Sequence, residues 1–118
     1  MKILINGLPP TDNHSYGRSR FGVVFLVKDA KDFKSITAEV CSKIKDCGKL
    51  FNDYLDVDIT YYVKRDRDVL GCDKILMDAM QGIIFKNDSQ ILDAHLHKYK
   101  DKENPRVEVV IKKAKRKY

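Results

Sequence analysis

The strongest constraint on the fold is a stretch of strict alternation between apolar and polar residues in the middle of the chain. Apolar side chains occupy every second position from Leu55 to Val63, and mostly polar side chains fill the positions between them. Because successive side chains of a β-strand point to opposite faces of a sheet, this pattern predicts a strand with one buried face. The chain is therefore expected to contain a sheet that is covered on one side.

The N-terminal third has two more apolar runs that are typical of strands. Residues 2–6 form the first run, which ends at Gly7 and at the two prolines that follow. Residues 22–27 form the second, after a polar stretch from 11 to 20 that is rich in turn-forming residues. We therefore predict two strands joined by a loop.

Two further strands are predicted near the C-terminus. They cover residues 90–98 and 106–111, and only the polar segment 101–105 separates them. Because strands with a short connection commonly pair with each other, we predict that these two form a β-hairpin.

Two segments have the spacing of amphipathic helices. Apolar positions recur every three or four residues over 33–47, with Asp29 as the expected N-cap and Gly48 as the expected C-cap. A second run of this kind covers residues 75–83. Together with the strands, this predicts a two-layer α+β fold in which two main helices pack on a mixed sheet.

The composition fits one globular domain. The chain has 118 residues, of which 43% are hydrophobic and 34% charged, enough apolar material for a modest core. No stretch approaches the roughly 18 consecutive apolar residues of a membrane span, so we expect a soluble cytoplasmic protein without a membrane partner. The three cysteines are odd in number and lack paired spacing, which argues against a disulfide scaffold or a structural zinc site.

An excess of positive charge favours a polyanionic partner. There are 23 lysines and arginines against 17 acidic residues, a formal net charge of +6. Each cation that neutralises a phosphate releases condensed counterions and so favours nucleic-acid binding. We expect a folded domain over residues 1–111 and a basic tail over residues 112–118, with a second basic cluster at 64–67.

Six aspartates lie within 28 residues, in the same region as several of these basic groups. They are Asp66, Asp68, Asp73, Asp78, Asp88 and Asp93. Carboxylates on a positive surface repel phosphate, and the usual reason for them is a divalent metal such as Mg²⁺, which prefers oxygen ligands. A strand, a helix and a return are long enough to bring Asp68 and Asp88 together. The alternative is that these residues are helix caps and solvated loop charges.

The segment from Arg67 to Asp93 resembles the centre of the RusA family of Holliday-junction resolvases. The positions in register with the family's motifs are Lys74, Asp78-Ala79-Met80, Gly82-Ile83 and Asn87-Asp88-Ser89-Gln90. The N-terminal Leu8-Pro9-Pro10-Thr11, with Asn13 and Tyr16 after it, is similar to the start of that family. The resemblance therefore extends over most of the chain, including the predicted domain 1–111.

This resemblance implies an endodeoxyribonuclease from a bacterium or a phage. Such an enzyme depends on Mg²⁺, uses no nucleotide cofactor, binds four-way DNA junctions as a homodimer and makes paired symmetric nicks. By position, Asp68 matches the first metal-binding aspartate, Asp88 the last one, and Lys74 the lysine near the scissile phosphate. The second aspartate of the family motif falls on Leu70, and the asparagine after it falls on Gly71.

Three arrangements remain open for the missing ligand. Asp66 and Asp68 together supply an Asp-x-Asp pair, or Asp73 supplies the oxygen from the first turn of the helix. In the third arrangement the metal site is lost, and the protein binds junctions or other nucleic acid without cutting. We favour a working site with Asp68, Asp88 and either Asp73 or Asp66, in which Asp68, Asp73, Asp88 and Lys74 carry the chemistry.

Basic side chains around these carboxylates are the candidates for DNA contact. They are Arg18, Arg20, Arg65, Arg67, Lys74, Lys112, Lys113, Lys115 and Arg116. His95 and His97 share a strand face with Asp93, a pattern that can bind a transition metal, but the resemblance gives those positions no metal role. A further alternative is a small nucleic-acid-binding accessory protein whose acidic cluster is only structural.

Overall fold

A four-stranded sheet forms the centre of the fold. The computed structural model describes residues 1–9, 16–18, 24–26, 28–44, 50–70 and 72–118. In chain order the elements are β1 (Lys2–Asn6), β2 (Tyr16–Arg18), β3 (Val24–Leu26), α1 (Lys28–Ile44), β4 (Leu55–Val63), α2 (Asp73–Met80), a 3₁₀ helix (Asp88–Gln90), β5 (Ile91–Lys100) and β6 (Arg106–Lys113).

The sheet is mixed, and its strand order is β1-β6-β4-β5. Strand β6 runs antiparallel to both β1 and β4, whereas β5 runs parallel to β4. Strands β2 and β3 form a separate antiparallel pair. The predicted α+β fold with a mixed sheet and two helices is confirmed.

The alternating pattern of β4 places its apolar residues in the core, as predicted. Leu55, Val57, Ile59 and Tyr61 are fully buried, whereas the residues between them are half-buried. The core is completed by fully buried side chains from β1, helix α2 and β6: Ile3, Ile5, Ile75, Leu76, Met80, Val107, Val109 and Ile111. Helix α1 contacts both α2 and β1, so the two helices cover one face of the sheet.

The predicted hairpin of the last two strands is wrong. Strand β4 lies between β5 and β6, so that Ile59 is paired with Leu96 on one side and with Val109 on the other. The segment 101–105 passes the end of β4, where the amide of Asp101 donates to the carbonyl of Val63 at 2.9 Å. The arrangement has a physical reason in backbone pairing: the N–H and C=O groups of the buried strand β4 find partners on both edges, from β5 on one and from β6 on the other.

Other boundaries differ by a few residues. Helix α2 ends at Met80 rather than at Ile83, because Gln81 is extended and Gly82 has a φ of 86°, a left-handed conformation that favours glycine. The stretch 11–20, expected to be a loop, contains strand β2. The predicted ends of α1 at Cys47 and Gly48 lie outside the described residues, as do 22–23 and 27 of the strand predicted over 22–27.

Within the described part of the chain, no helix combines the length and the apolar character that a membrane-spanning helix needs. The thiols of Cys41 and Cys72 are buried, as expected for reduced cysteines of the core.

Candidate functional site

The connection from β4 to α2 is tied to the end of β1 by Arg67. Its Nη2 donates to the carbonyl oxygen of Pro9 at 2.6 Å and to the Sγ of Cys72 at 3.3 Å. The guanidinium is half-buried and the thiol is 1% exposed. Arg67, predicted to contact DNA, is therefore engaged within the protein, where it fixes the loop that carries Asp68.

Asp68 lies on the surface of this loop. Its Oδ1 accepts a hydrogen bond from the amide of Leu70 at 2.9 Å, which closes a local turn. Leu70, the residue at the second motif position, has 71% of its surface exposed. The apolar side chain thus projects into solvent beside Asp68, at the position where a carboxylate is expected from the resemblance.

Asp66 is directed towards the edge strand β5. Its Oδ1 lies 2.7 Å from the Nζ of Lys98, and this contact holds the pKa of the Asp66 carboxyl below its usual value. The two residues line a small cleft of about 210 Å³ together with Val63, Tyr99 and Lys100. No other aspartate of the predicted metal site is among the residues that line it.

Asp73 and Asp88 share a different cleft, of about 320 Å³. Asp73 belongs to the first turn of α2, and Asp88 is the first residue of the 3₁₀ helix before β5. The remaining lining residues are apolar: Ile59, Met77, Ile91, Ala94 and Leu96. Two carboxylates from separate elements therefore line the same cleft beside β5, and Asp68 is not among the lining residues.

The turn that carries Asp88 is fixed by hydrogen bonds to side-chain amides. The Oδ1 of Asn87 accepts from the amide of Ser89 at 2.9 Å, and the Oε1 of Gln90 accepts from the amide of Asn87 at 3.0 Å, which together form a capping box. The amide of Asp88 itself donates to the Oε1 of Gln81 at 3.2 Å. These contacts satisfy backbone groups and keep Asp88 at a defined place on the cleft.

Gln90 also joins this turn to the segment before β4. Its Nε2 donates to the carbonyl of Phe51 at 2.9 Å and to that of Asp53 at 3.0 Å. Sequence reasoning did not assign this role to Gln90, although the spacing Asn87-x-x-Gln90 is the signature of a capping box. The side chain positions Asp88 without lining the cleft that Asp73 and Asp88 share.

The carboxylates of Asp73 and Asp88 provide oxygen ligands of the kind that Mg²⁺ prefers, but only two of them. Among the described residues, no group of three or more His, Cys, Asp or Glu side chains is placed to hold a metal ion. Mg²⁺ is commonly bound by only one or two carboxylates and completes its octahedral shell with water and substrate phosphate oxygens. The pair Asp73 and Asp88 meets that minimum. Lys74 follows Asp73 on α2 and is exposed.

The two histidines of β5 lie on the opposite face of the sheet. The Nε2 of His95 is 3.7 Å from the Oδ1 of Asp56, and that of His97 is 3.6 Å from the Oδ1 of Asp58. Asp93, the third member of the pattern considered for a transition metal, is engaged by Arg116. These are separate cross-strand pairs, which stabilise the pairing of β4 and β5.

The remaining basic candidates lie in several places. Arg65 and the side chains of Lys112, Lys113 and Lys115 are exposed, and Arg18 lies on β2. Arg20 lies outside the described residues. The Nε of Arg116 is 2.8 Å from the Oδ2 of Asp93, so the basic tail is attached to the start of β5. Within the described part of the chain, none of the basic candidates is among the residues that line the cleft shared by Asp73 and Asp88.

Comparison with known proteins agrees with the resemblance seen in the central segment. A sequence profile of the endodeoxyribonuclease RusA family matches residues 7–112, which include both Asp73 and Asp88. A search of curated proteins found no match. Because the profile covers nearly the whole chain, from the residue after β1 to the penultimate residue of β6, the chain belongs to the endodeoxyribonuclease RusA family.

Proposed function

We propose that this protein is a Mg²⁺-dependent endodeoxyribonuclease that resolves four-way DNA junctions by paired symmetric nicks. The observation that supports this most directly is the cleft shared by Asp73 and Asp88, which lies within the segment matched to a family of endodeoxyribonucleases. The substrate, the metal and the homodimer are proposals that rest on the resemblance.

In this proposal Asp73 and Asp88 hold the metal, and Asp73 takes the place of the carboxylate that is missing at Leu70. Asp66 is a poorer candidate, because Lys98 already neutralises it at the edge of the sheet. Asp68 is exposed on the loop before α2, and the resemblance supports it as a further ligand. When present, Mg²⁺ supplies an activated water and stabilises negative charge on the phosphodiester.

Lys74 and the exposed basic groups act on the phosphates. Lys74 is adjacent to Asp73 at the start of α2 and is exposed, which supports a role for its ammonium group in neutralising the scissile phosphate. Arg65 and the lysines at the end of β6 provide charge for flanking phosphates. Two nicks at symmetric positions require two such sites, which a two-fold homodimer provides.

The second candidate function is junction binding without cleavage. It is favoured by one observation, the exposed Leu70 beside Asp68 in place of a carboxylate. In that case the basic surface and the dimer would be retained, and the remaining carboxylates would not complete a metal site.

The two functions are separated by incubating the purified protein with a labelled synthetic four-way junction and a matched duplex, with Mg²⁺ and with EDTA. We expect paired nicks in the junction that require Mg²⁺, and we expect Asp88→Asn to abolish the nicks while junction binding is retained. Tight junction binding by the parent protein without nicks would favour the second function. Equal cutting by Asp88→Asn and the parent would show that the site is assigned wrongly.

A further inference from the structure

A third cleft is lined in part by the turn that carries Asp88. It has a volume of about 510 Å³, within the range of roughly 300–1,000 Å³ of sites for small organic groups. Its lining residues are Asn52, Tyr54, Ser89, Gln90 and Tyr118. Since Ser89 and Gln90 belong to the same 3₁₀ turn as Asp88, this tyrosine cleft adjoins the candidate metal site. Tyr118 lies beyond the residues matched to the family.

The tyrosine cleft exists because the basic tail folds back onto the sheet. The guanidinium of Arg116 forms two hydrogen bonds to the carboxylate of Asp93, at 2.8 and 3.2 Å, and a third to the carbonyl of Leu92 at 3.2 Å. The amide of Ala114 donates to the carbonyl of Tyr54 at 2.8 Å. These contacts bring the last residue, Tyr118, to the segment before β4.

The two tyrosines form an aromatic platform that is open to solvent. Their ring centroids are 5.7 Å apart and their planes differ by 18°, which is a stacked arrangement. Tyr118 is 92% exposed and Tyr54 is 47% exposed, so most of the aromatic surface is not used by the protein itself. Stacking on an exposed tyrosine is a sequence-tolerant way to hold a nucleobase, because every base has a flat π-face.

The polar surroundings of the platform suit a nucleotide. The side chains of Asn52 and Ser89 offer donors and acceptors for the edge of a base. The side-chain amide of Gln90 already forms hydrogen bonds to backbone groups, so it lines the cleft but is not available to bind a base. Lys115 and Lys117 line an adjoining cleft together with Tyr54 and Tyr118, and their charge suits the phosphates on either side of a bound base.

We infer that the tyrosine cleft binds an unpaired nucleobase of the DNA strand that passes the candidate metal site. The inference rests on the proposed function and adds to it a source of selectivity. A base leaves the helical stack at lower cost where pairing or stacking is already disturbed. The branch point of a junction interrupts the continuous stack of a duplex, so capture of a base there favours a junction over a continuous duplex. Arg116 acts here by holding the tail in place, and Tyr118 supplies part of the stacking surface.

The test measures the dissociation constants of the full chain in EDTA, so that cleavage does not interfere. The probes are a fluorescently labelled four-way junction with one unpaired adenine at the branch point and a matched continuous duplex. We expect Tyr118→Ala and Tyr54→Ala to weaken junction binding by about fivefold or more, as expected for the loss of one stacked base. Tyr118→Phe keeps the ring and should bind like the parent.

Tyr99→Ala is the matched control. Tyr99 is also an exposed and stacked tyrosine, but its partner is Tyr62, on the same sheet face as His95 and His97. We expect this variant to bind both probes like the parent, and all variants should retain the parent's circular dichroism spectrum. Duplex binding should change less than twofold in every variant.

Each result separates the inference from the function on which it rests. If the parent binds and nicks the junction but Tyr118→Ala and Tyr54→Ala bind as tightly as Tyr99→Ala, the inference is overturned and the proposed function stands. The same holds if the two variants lose junction and duplex affinity equally, because the cleft would then contribute no selectivity. A parent protein that neither prefers nor cuts the junction overturns both.

Discussion

Asp66 and Asp73, the two alternatives for the missing metal ligand, have different environments. Asp66 forms an ion pair with Lys98 and is largely exposed, whereas Asp73 lines the cleft with Asp88. We expect Asp73→Asn to raise the Mg²⁺ concentration required for half-maximal nicking by tenfold or more, because removing a ligand weakens the site. Asp66→Asn is the control and should leave that concentration unchanged, as titrated in nicking assays with the labelled junction. The opposite ranking would restore the Asp66–Asp68 pair as the ligand set.

The cysteines of the core provide a second residue-scale prediction. Burial raises the pKa of the Cys41 thiol to about 11, and Cys72 is buried beside the guanidinium of Arg67. Because the thiolate is the reactive form and needs access to the reagent, Cys41 should be alkylated slowly in the folded protein. We expect iodoacetamide at pH 8 to label Cys41 and Cys72 at least tenfold faster in denaturant than in native buffer, as followed by peptide mass spectrometry. Equal rates would mean that the helical layer opens readily.

At the scale of elements, the 3₁₀ turn before β5 depends on Gln90. Its amide makes hydrogen bonds to four backbone groups, which belong to Phe51, Asp53, Lys86 and Asn87. Gln90→Ala should therefore lower the free energy of unfolding by about 1–2 kcal/mol, the typical cost of losing a cap. Chemical denaturation measures this loss of stability. The same substitution should also reduce nicking, because the turn no longer holds Asp88 in place.

Lys86→Ala is the matched control for this change. The contact from Lys86 to Gln90 uses the backbone amide, which alanine retains, and the Lys86 side chain is exposed. We expect the free energy of unfolding of this variant to lie within about 0.5 kcal/mol of the parent value. A loss as large as that of Gln90→Ala would mean that the cap is not the source of the effect.

The attachment of the basic tail to β5 is expected to depend on pH. Arg116 holds the pKa of the Asp93 carboxyl below its usual value, so Asp93 stays charged in the folded chain at pH values where it is already protonated in the unfolded chain. The stabilisation is therefore complete above the unfolded pKa, near 4, and is lost as the pH falls through the lower, folded pKa. NMR signals of the Tyr118 ring should report release of the tail in that acid range.

Arg116→Ala provides the comparison for this titration. Without the guanidinium, the Tyr118 signals should have the released positions already at neutral pH. If they match those of the parent at every pH, the ion pair with Asp93 does not hold the tail in place.

Across the whole molecule, the parts that the sequence could predict are those with a local cause. The alternation of Leu55 to Val63 identifies β4 because a half-buried strand produces that period by itself. The pairing of β5 and β6 was wrong because alternation does not reveal which strand is the neighbour, and here both β5 and β6 flank β4. Likewise, the spacing of aspartates did not separate Asp66 from Asp73, because only the fold assigns them to different clefts.

The attachment of the basic tail is a second feature that the sequence could not predict, because it depends on a contact between distant positions. Lys112 to Lys117 form a basic run in the sequence, which is typical of a solvated terminus or a DNA-binding segment. The attachment of Arg116 depends on Asp93, 23 positions earlier in the chain, and on β5 presenting that carboxylate. No local pattern carries this information.

The position of β6 between β1 and β4 has a consequence for how the chain folds. The ammonium group of Met1 donates to the carbonyl of Ile111 at 2.8 Å, a contact between groups 110 positions apart. Closing such a long loop costs entropy before any contact repays it, so folds of this kind form slowly. During synthesis on a ribosome, β1 has no strand partner until β6, residues 106–113, has emerged. We therefore expect the sheet, and with it the cleft above β5, to form only after synthesis of β6.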